Sequence, residues 1–193
     1  MKTRLTLRLE DRPNSRLSVN RLSRRLDFLH GRAIGVRFRP ALSAGSRKLY
    51  SRRSYGQPVY AATFIRKRRV ILDLELASKP REFARILTHE LFHFAWVRLG
   101  NTKRKDFEAL LDWEWRRHAS GELGWSAESR KLRLKRKRSK RAWRDYACES
   151  FCDTAAWLYS GVHRHPEYTL APRHRSRRAA WFQSAFSHHT IPI

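Results

Sequence analysis

Acidic residues are scarce in this chain: 17 Asp and Glu stand against 43 Lys and Arg across 193 residues, a formal net charge of +26. An excess of that size points to an anionic partner, most simply nucleic acid, or to a basic surface that aids solubility. Cysteine is rarer still. Cys148 and Cys152 are the only two, too few for a disulfide framework, and their spacing of four suits one face of a helix. No apolar run approaches the roughly 20 residues of a membrane span, and the opening MKTRLTLRLEDRPN holds no apolar stretch of signal-peptide length. A soluble, cytoplasmic protein is the expectation. Core material is plentiful, with 41% hydrophobic residues and seven tryptophans. That excludes a disordered basic tail and suits a single domain over residues 1–193.

Patterning predicts an α+β fold, rich in helix, with a small antiparallel sheet. LTLRLE reads as a short strand. Residues 15–30 place Leu17, Leu22, Leu26 and Leu29 at helical intervals ahead of Gly31, and IGVRFR at 34–39 alternates as a strand does. Residues 41–57, with Ser, Gly and Arg, read as a loop. PVYAATFI and VILDLEL flank the turn RKRR, the pattern of an antiparallel hairpin. Pro80 suits a first helical position and Gly100 the residue past the helix end. Between them the segment is apolar around much of its circumference, which predicts a buried helix. Residues 101–143 read as a basic insertion and the C-terminal stretch as a basic tail, with a helix, DYACESFCDTAAWLYSG, between the two.

Inside the buried helix stands HELFH, His89 to His93. Residues four apart lie about 40° apart around a helix axis and one turn along it. His89 and His93 can therefore aim two imidazole nitrogens at one point, half of a tetrahedral zinc shell. Glu90 beside the first histidine can take a proton from the water that attacks a carbonyl. Histidines in a core with no metal are the plain alternative, but a buried pair with no partner is costly.

A zinc hydrolase needs a third protein ligand, and no third histidine follows at short spacing. Two segments offer a glutamate with an aspartate four residues on: Glu108 with Asp112, and Glu149 with Asp153. In such a pair one carboxylate can bind metal while the other accepts the N–H of a ligating histidine. Glu149 is favoured because its helix is otherwise small and apolar, where two acids need a metal or a charge partner. HELFH followed by ESFCD resembles the gluzincin branch of the zincin metallopeptidases, over the strand at 69–76 and the helices at 80–99 and 145–160. The resemblance implies a zincin-like domain in which His89, His93 and Glu149 bind zinc, Glu90 is the general base and Asp153 orients His89. It also implies an edge strand along the substrate cleft, and VILDLEL is suitably placed. Fifty-five residues separate His93 from Glu149, so a compact, minimal zincin is the nearer comparison.

Other residues have rival uses. Tyr146, His163, His165 and Tyr168 are candidates for stabilising the transition state. Cys148 and Cys152 can join His89 and His93 in a closed Cys2His2 site, although their helix face is rotated about 100° from that of Glu149 and Asp153. Ten of the fifteen residues from Arg130 to Arg144 are basic, which suits sequence-independent contact with nucleic acid or a solvated insertion. Trp125 and Trp143 flank that run and can stack on bases or pack in the core. The sequence thus predicts a zinc-dependent peptidase acting on a protein or peptide. The alternative is a non-enzymatic, basic nucleic-acid-binding protein.

Overall fold

The computed structural model describes residues 4–11, 19–46, 48–52, 55–137, 139–186 and 190–193. The fold is α+β, with six helices among these residues. Strands β1 (Leu7–Leu9) and β3 (Ile34–Arg39) join β7 (Ala61–Phe64) and β8 (Arg69–Asp73) in one sheet; α1 (Val19–Arg25) and β2 (Leu29–His30) lie between β1 and β3 in sequence. The sheet order is β1-β3-β8-β7. The β7–β8 hairpin is antiparallel as expected, with Ala62 opposite Ile71, whereas β1 and β3 run parallel to β8, so the sheet is mixed. In β3 the alternation is strict. Ile34, Val36 and Phe38 face the core, while Arg37 and Arg39 on the other face pair with Glu10 and Asp11.

Two expectations need correction. VILDLEL is not an edge strand, because β3 pairs with its other side; β1 and β7 are the edges, and β7 is the one beside α2. The strand also stops at Asp73, whose carboxylate accepts from the Glu75 N–H and starts a 3-10 turn over Leu74–Ser78. The presumed loop at 41–57 holds a second small sheet of β4 (Ser43–Gly45), β5 (Lys48–Tyr50) and β6 (Gln57–Pro58). The expected N-terminal helix is seen from Val19, and its first residues, 15–18, lie outside the described segments.

Helix α2 (Pro80–Arg98) begins at Pro80 and carries HELFH at its centre. It packs between the sheet and α5 (Lys140–Tyr159), and α3 (Asn101–Arg116), α4 (Trp125–Arg136) and α6 (Pro172–Phe186) pack in turn on α5. Phe92 of α2, Phe107 of α3, Phe151 of α5 and Phe182 of α6 meet in one aromatic cluster, with Phe151 and Phe182 stacked at 4.9 Å. Burying four phenylalanines fixes the two motif helices side by side. The final strand β9 (Ile191–Pro192) pairs with β2 and buries Ile191 and Ile193.

The basic stretch 101–143 contributes to this packing. Phe107, Leu111, Ala127 and Leu134 are buried in it. Its buried charges close a network across four helices. Arg178 of α6 donates to Glu114 of α3 (2.6 Å) and to Glu122 (2.7 Å), and Glu122 also accepts from Lys131 of α4 (2.9 Å) and Tyr146 of α5 (2.6 Å). Ions this deep are tolerated only when their hydrogen bonds are filled.

Candidate metal centre

The structure brings His89, Glu90, His93, Glu149 and Asp153 together where α2 packs on α5. His89 Nε2 lies 3.2 Å from His93 Nε2 and 3.2 Å from Glu149 Oε2, and His93 Nε2 lies 3.8 Å from the same oxygen. Ligands held about 2.0–2.2 Å from a tetrahedral zinc stand about 3.3–3.6 Å apart. The sides of the triangle, 3.2, 3.2 and 3.8 Å, bracket those spacings, so shifts of a few tenths of an ångström suit the donor set to a three-ligand ion.

The surrounding groups orient the triangle. Asp153 Oδ1 lies 2.7 Å from His89 Nδ1; with Nδ1–H donating, the lone pair of Nε2 is left facing the triangle. Asp153 Oδ2 accepts from the Ala127 N–H at 2.9 Å in the first turn of α4. One carboxylate thus aims a histidine and caps a neighbouring helix. That approach needs a glycine. A Cβ at Gly124 stands 2.3 Å from Asp153 Cγ, so no other residue allows the chain so close.

Electrostatics favour positive charge at this point of a strongly basic protein. Burial opposes protonation of His89, but the Asp153 carboxylate outweighs it and holds the imidazole well above its usual range. Burial likewise opposes protonation of His93, yet Cys148 and Glu149 raise it to about 9. Glu149 moves the other way. Burial raises a carboxyl, but the two histidines and Arg130 bring Glu149 down to about 2. The imidazole and carboxylate shifts are two sides of the same pairing, each charge favouring the other.

Glu90 is buried on the same turn. Its Oε2 accepts from the Thr63 hydroxyl of β7 at 2.5 Å. A cavity of about 330 Å³ opens over the triangle, lined on one side by β7 and on the other by Glu90, Ser126, Arg130 and Cys148. Arg130 is 3.7 Å from Glu149 Oε1. Sequence reasoning missed Thr63, Gly124 and Arg130. The strand AATF and the Gly-Trp-Ser start of α4 announce only local structure, and their positions at the site depend on tertiary contacts.

The alternatives fare differently. Glu108 and Asp112 lie on α3 and do not line this cavity; Asp112 pairs with Arg116 at 2.7 Å. Nor do the four transition-state candidates line it. Tyr146 is committed to Glu122, His165 pairs with Glu82 at 2.7 Å, His163 is exposed, and Tyr168 packs with Leu123 and Leu170. The cysteines do not turn away from the site as the helix rotation suggests. Both sulfurs approach His93, 3.5 Å from its Nδ1. His89, His93 and Cys152 also form a looser donor group, with atoms up to 4.8 Å apart. The nitrogen, nitrogen and oxygen triangle is tighter, and the sulfurs face the His93 nitrogen remote from it.

No family model, curated protein or solved structure matches this chain. The functional reading therefore stands on the site's own geometry.

Proposed function

We propose that the chain is a zinc-dependent metallopeptidase of compact gluzincin type. The observation that carries this reading is the triangle of His89, His93 and Glu149, with Glu90 beside it in a cavity bordered by an edge strand. When bound, zinc supplies Lewis acidity and lowers the pKa of water. His89, His93 and Glu149 are the residues that hold it, and Asp153 fixes the tautomer of His89.

Glu90 takes the proton of the attacking water and delivers it to the leaving amine. The Thr63 hydroxyl fixes the carboxylate that performs both transfers. Among the described residues β7 pairs with β8 alone. Its other edge supplies backbone donors and acceptors along which an extended peptide aligns. Arg130 lines the cavity, and its guanidinium offsets negative charge that develops on the substrate oxygen. Substrates of this reading are proteins or peptides, and the two free thiols suit a cytoplasmic setting.

The test is hydrolysis of an unstructured protein such as casein, with and without a chelator. Activity is expected to vanish with the chelator and return with zinc. Glu90→Gln is expected to keep the ion and lose about 10²–10⁴-fold in rate. A Gln variant that cleaves at the wild-type rate overturns the role of Glu90.

The basic surface supports a further partner. Arg133, Lys135, Arg136, Lys140 and Arg141 are all exposed around the α4–α5 junction, an arrangement suited to sequence-independent contact with a phosphate backbone.

A further inference from the structure

His93 has two faces. Its Nε2 belongs to the donor triangle, while its Nδ1 lies 3.5 Å from Cys148 Sγ and 3.5 Å from Cys152 Sγ. The two thiols also contact each other. A ligating imidazole is ordinarily steered by a carboxylate or carbonyl at its second nitrogen. His89 follows that pattern through Asp153; His93 has sulfur in that place. The thiols differ in access. Cys152 is fully buried, whereas Cys148 is partly exposed and lines the cavity over the triangle. Residues four apart on a helix have Cα atoms about 6 Å apart, inside the range a disulfide spans, but Cβ atoms about 5–6 Å apart, so closing the bond draws the Cβ atoms together and distorts that turn of α5.

We propose that Cys148 and Cys152 are a peroxide-sensitive oxidation site that controls how firmly the centre holds its ion. This inference rests on the metal-centre reading. The Cys148 sulfur attacks one oxygen of hydrogen peroxide, the O–O bond breaks, and a sulfenic acid and water result. The Cys152 sulfur then attacks the sulfenic sulfur and displaces a second water. Two electrons pass from the thiols to the peroxide, and both thiol protons leave in water. In the resulting disulfide neither sulfur is a thiol partner for Nδ1, and His93 loses the contact that aims it. Cys148 and Cys152 are thus positioning residues that act through His93.

The experiment treats zinc-loaded full-length protein with hydrogen peroxide. Zinc release is followed with a chromogenic chelator, and thiol state by intact mass. Release is expected in step with a mass loss of two hydrogens, and reduction with a phosphine plus added zinc is expected to restore binding. Cys148→Ser is expected to release no more zinc with peroxide than without it. The double variant Cys148→Ala/Cys152→Ala, never oxidised, is expected to bind zinc about 10–100-fold more weakly. Disulfide formation with zinc fully retained overturns the proposal, as does equal release from Cys148→Ser. Untreated wild-type protein that takes up no zinc overturns the metal-centre reading itself, and this proposal with it.

Discussion

Asp153 touches two things at once, the Nδ1 of His89 and the N–H of Ala127. Its replacement therefore acts on the metal centre and on the start of α4. Asp153→Asn preserves the shape but exchanges a charged acceptor for a neutral one. Zinc affinity, measured by competition with a chelator of known strength, is expected to fall about 10–100-fold while the fold survives. Gly124→Ala tests the same contact from the other side. Its new methyl collides with the carboxylate, so thermal stability and zinc affinity are both expected to drop. Unchanged zinc affinity in both variants would remove Asp153 from the account. His89, Glu90 and His93 were legible because a helix alone fixes their mutual placement. The thiols were misread for a related reason: helix rotation gives the direction of a Cα–Cβ bond, but a neighbouring helix decides which imidazole nitrogen that side chain meets.

Side chains of three helices, α4, α5 and α6, close on Glu122, and its ionisation is part of their packing. Burial raises its carboxyl, but Arg178 and Lys131 outweigh this and hold it at about 2, against about 4.3 for an unfolded chain. A depressed carboxyl stabilises the fold above the unfolded pKa, and that contribution is lost as pH falls through the folded pKa. The contribution here is roughly 3 kcal/mol, lost between about pH 4.5 and 2. Glu122→Gln is expected to abolish that part of the pH dependence and to cost about 3–5 kcal/mol near neutrality, since Arg178 and Lys131 lose their buried countercharge. Denaturant titrations of both proteins across this range check the sign. A difference between them that does not shrink on acidification contradicts it. At this scale α2 was readable from Pro80 and its apolar periodicity. α4 was not, because Lys131 looks like its solvated neighbours and is buried through its bonds to Glu122 and the Gly121 carbonyl. The choice of β7 over β8 as edge strand was also out of reach. It depends on β3 pairing with β8, a contact far apart in the chain.

Across the whole molecule the +26 charge divides into two populations. Lys131 and Arg178 neutralise buried carboxylates, whereas the cations around the α4–α5 junction are exposed. Trp125, the first residue of α4, is exposed, while Trp143 packs against Trp115 and Tyr146. A random-sequence DNA duplex is expected to bind at low salt and to release steeply as salt rises, with a slope of about 0.9 per phosphate neutralised. Charge reversal at Arg133, Lys135 and Arg136 is expected to flatten that slope, and absence of binding at low ionic strength removes nucleic acid as a partner. None of the helices described is long and apolar enough to cross a membrane. The central claim is the three-residue metal centre, and zinc per chain tests it most directly, measured in purified wild type beside His93→Ala and Glu149→Ala. The account predicts close to one zinc in the wild type and strong loss in both variants. Zinc retained in Glu149→Ala, or no zinc in the wild type after incubation with the ion, would contradict it.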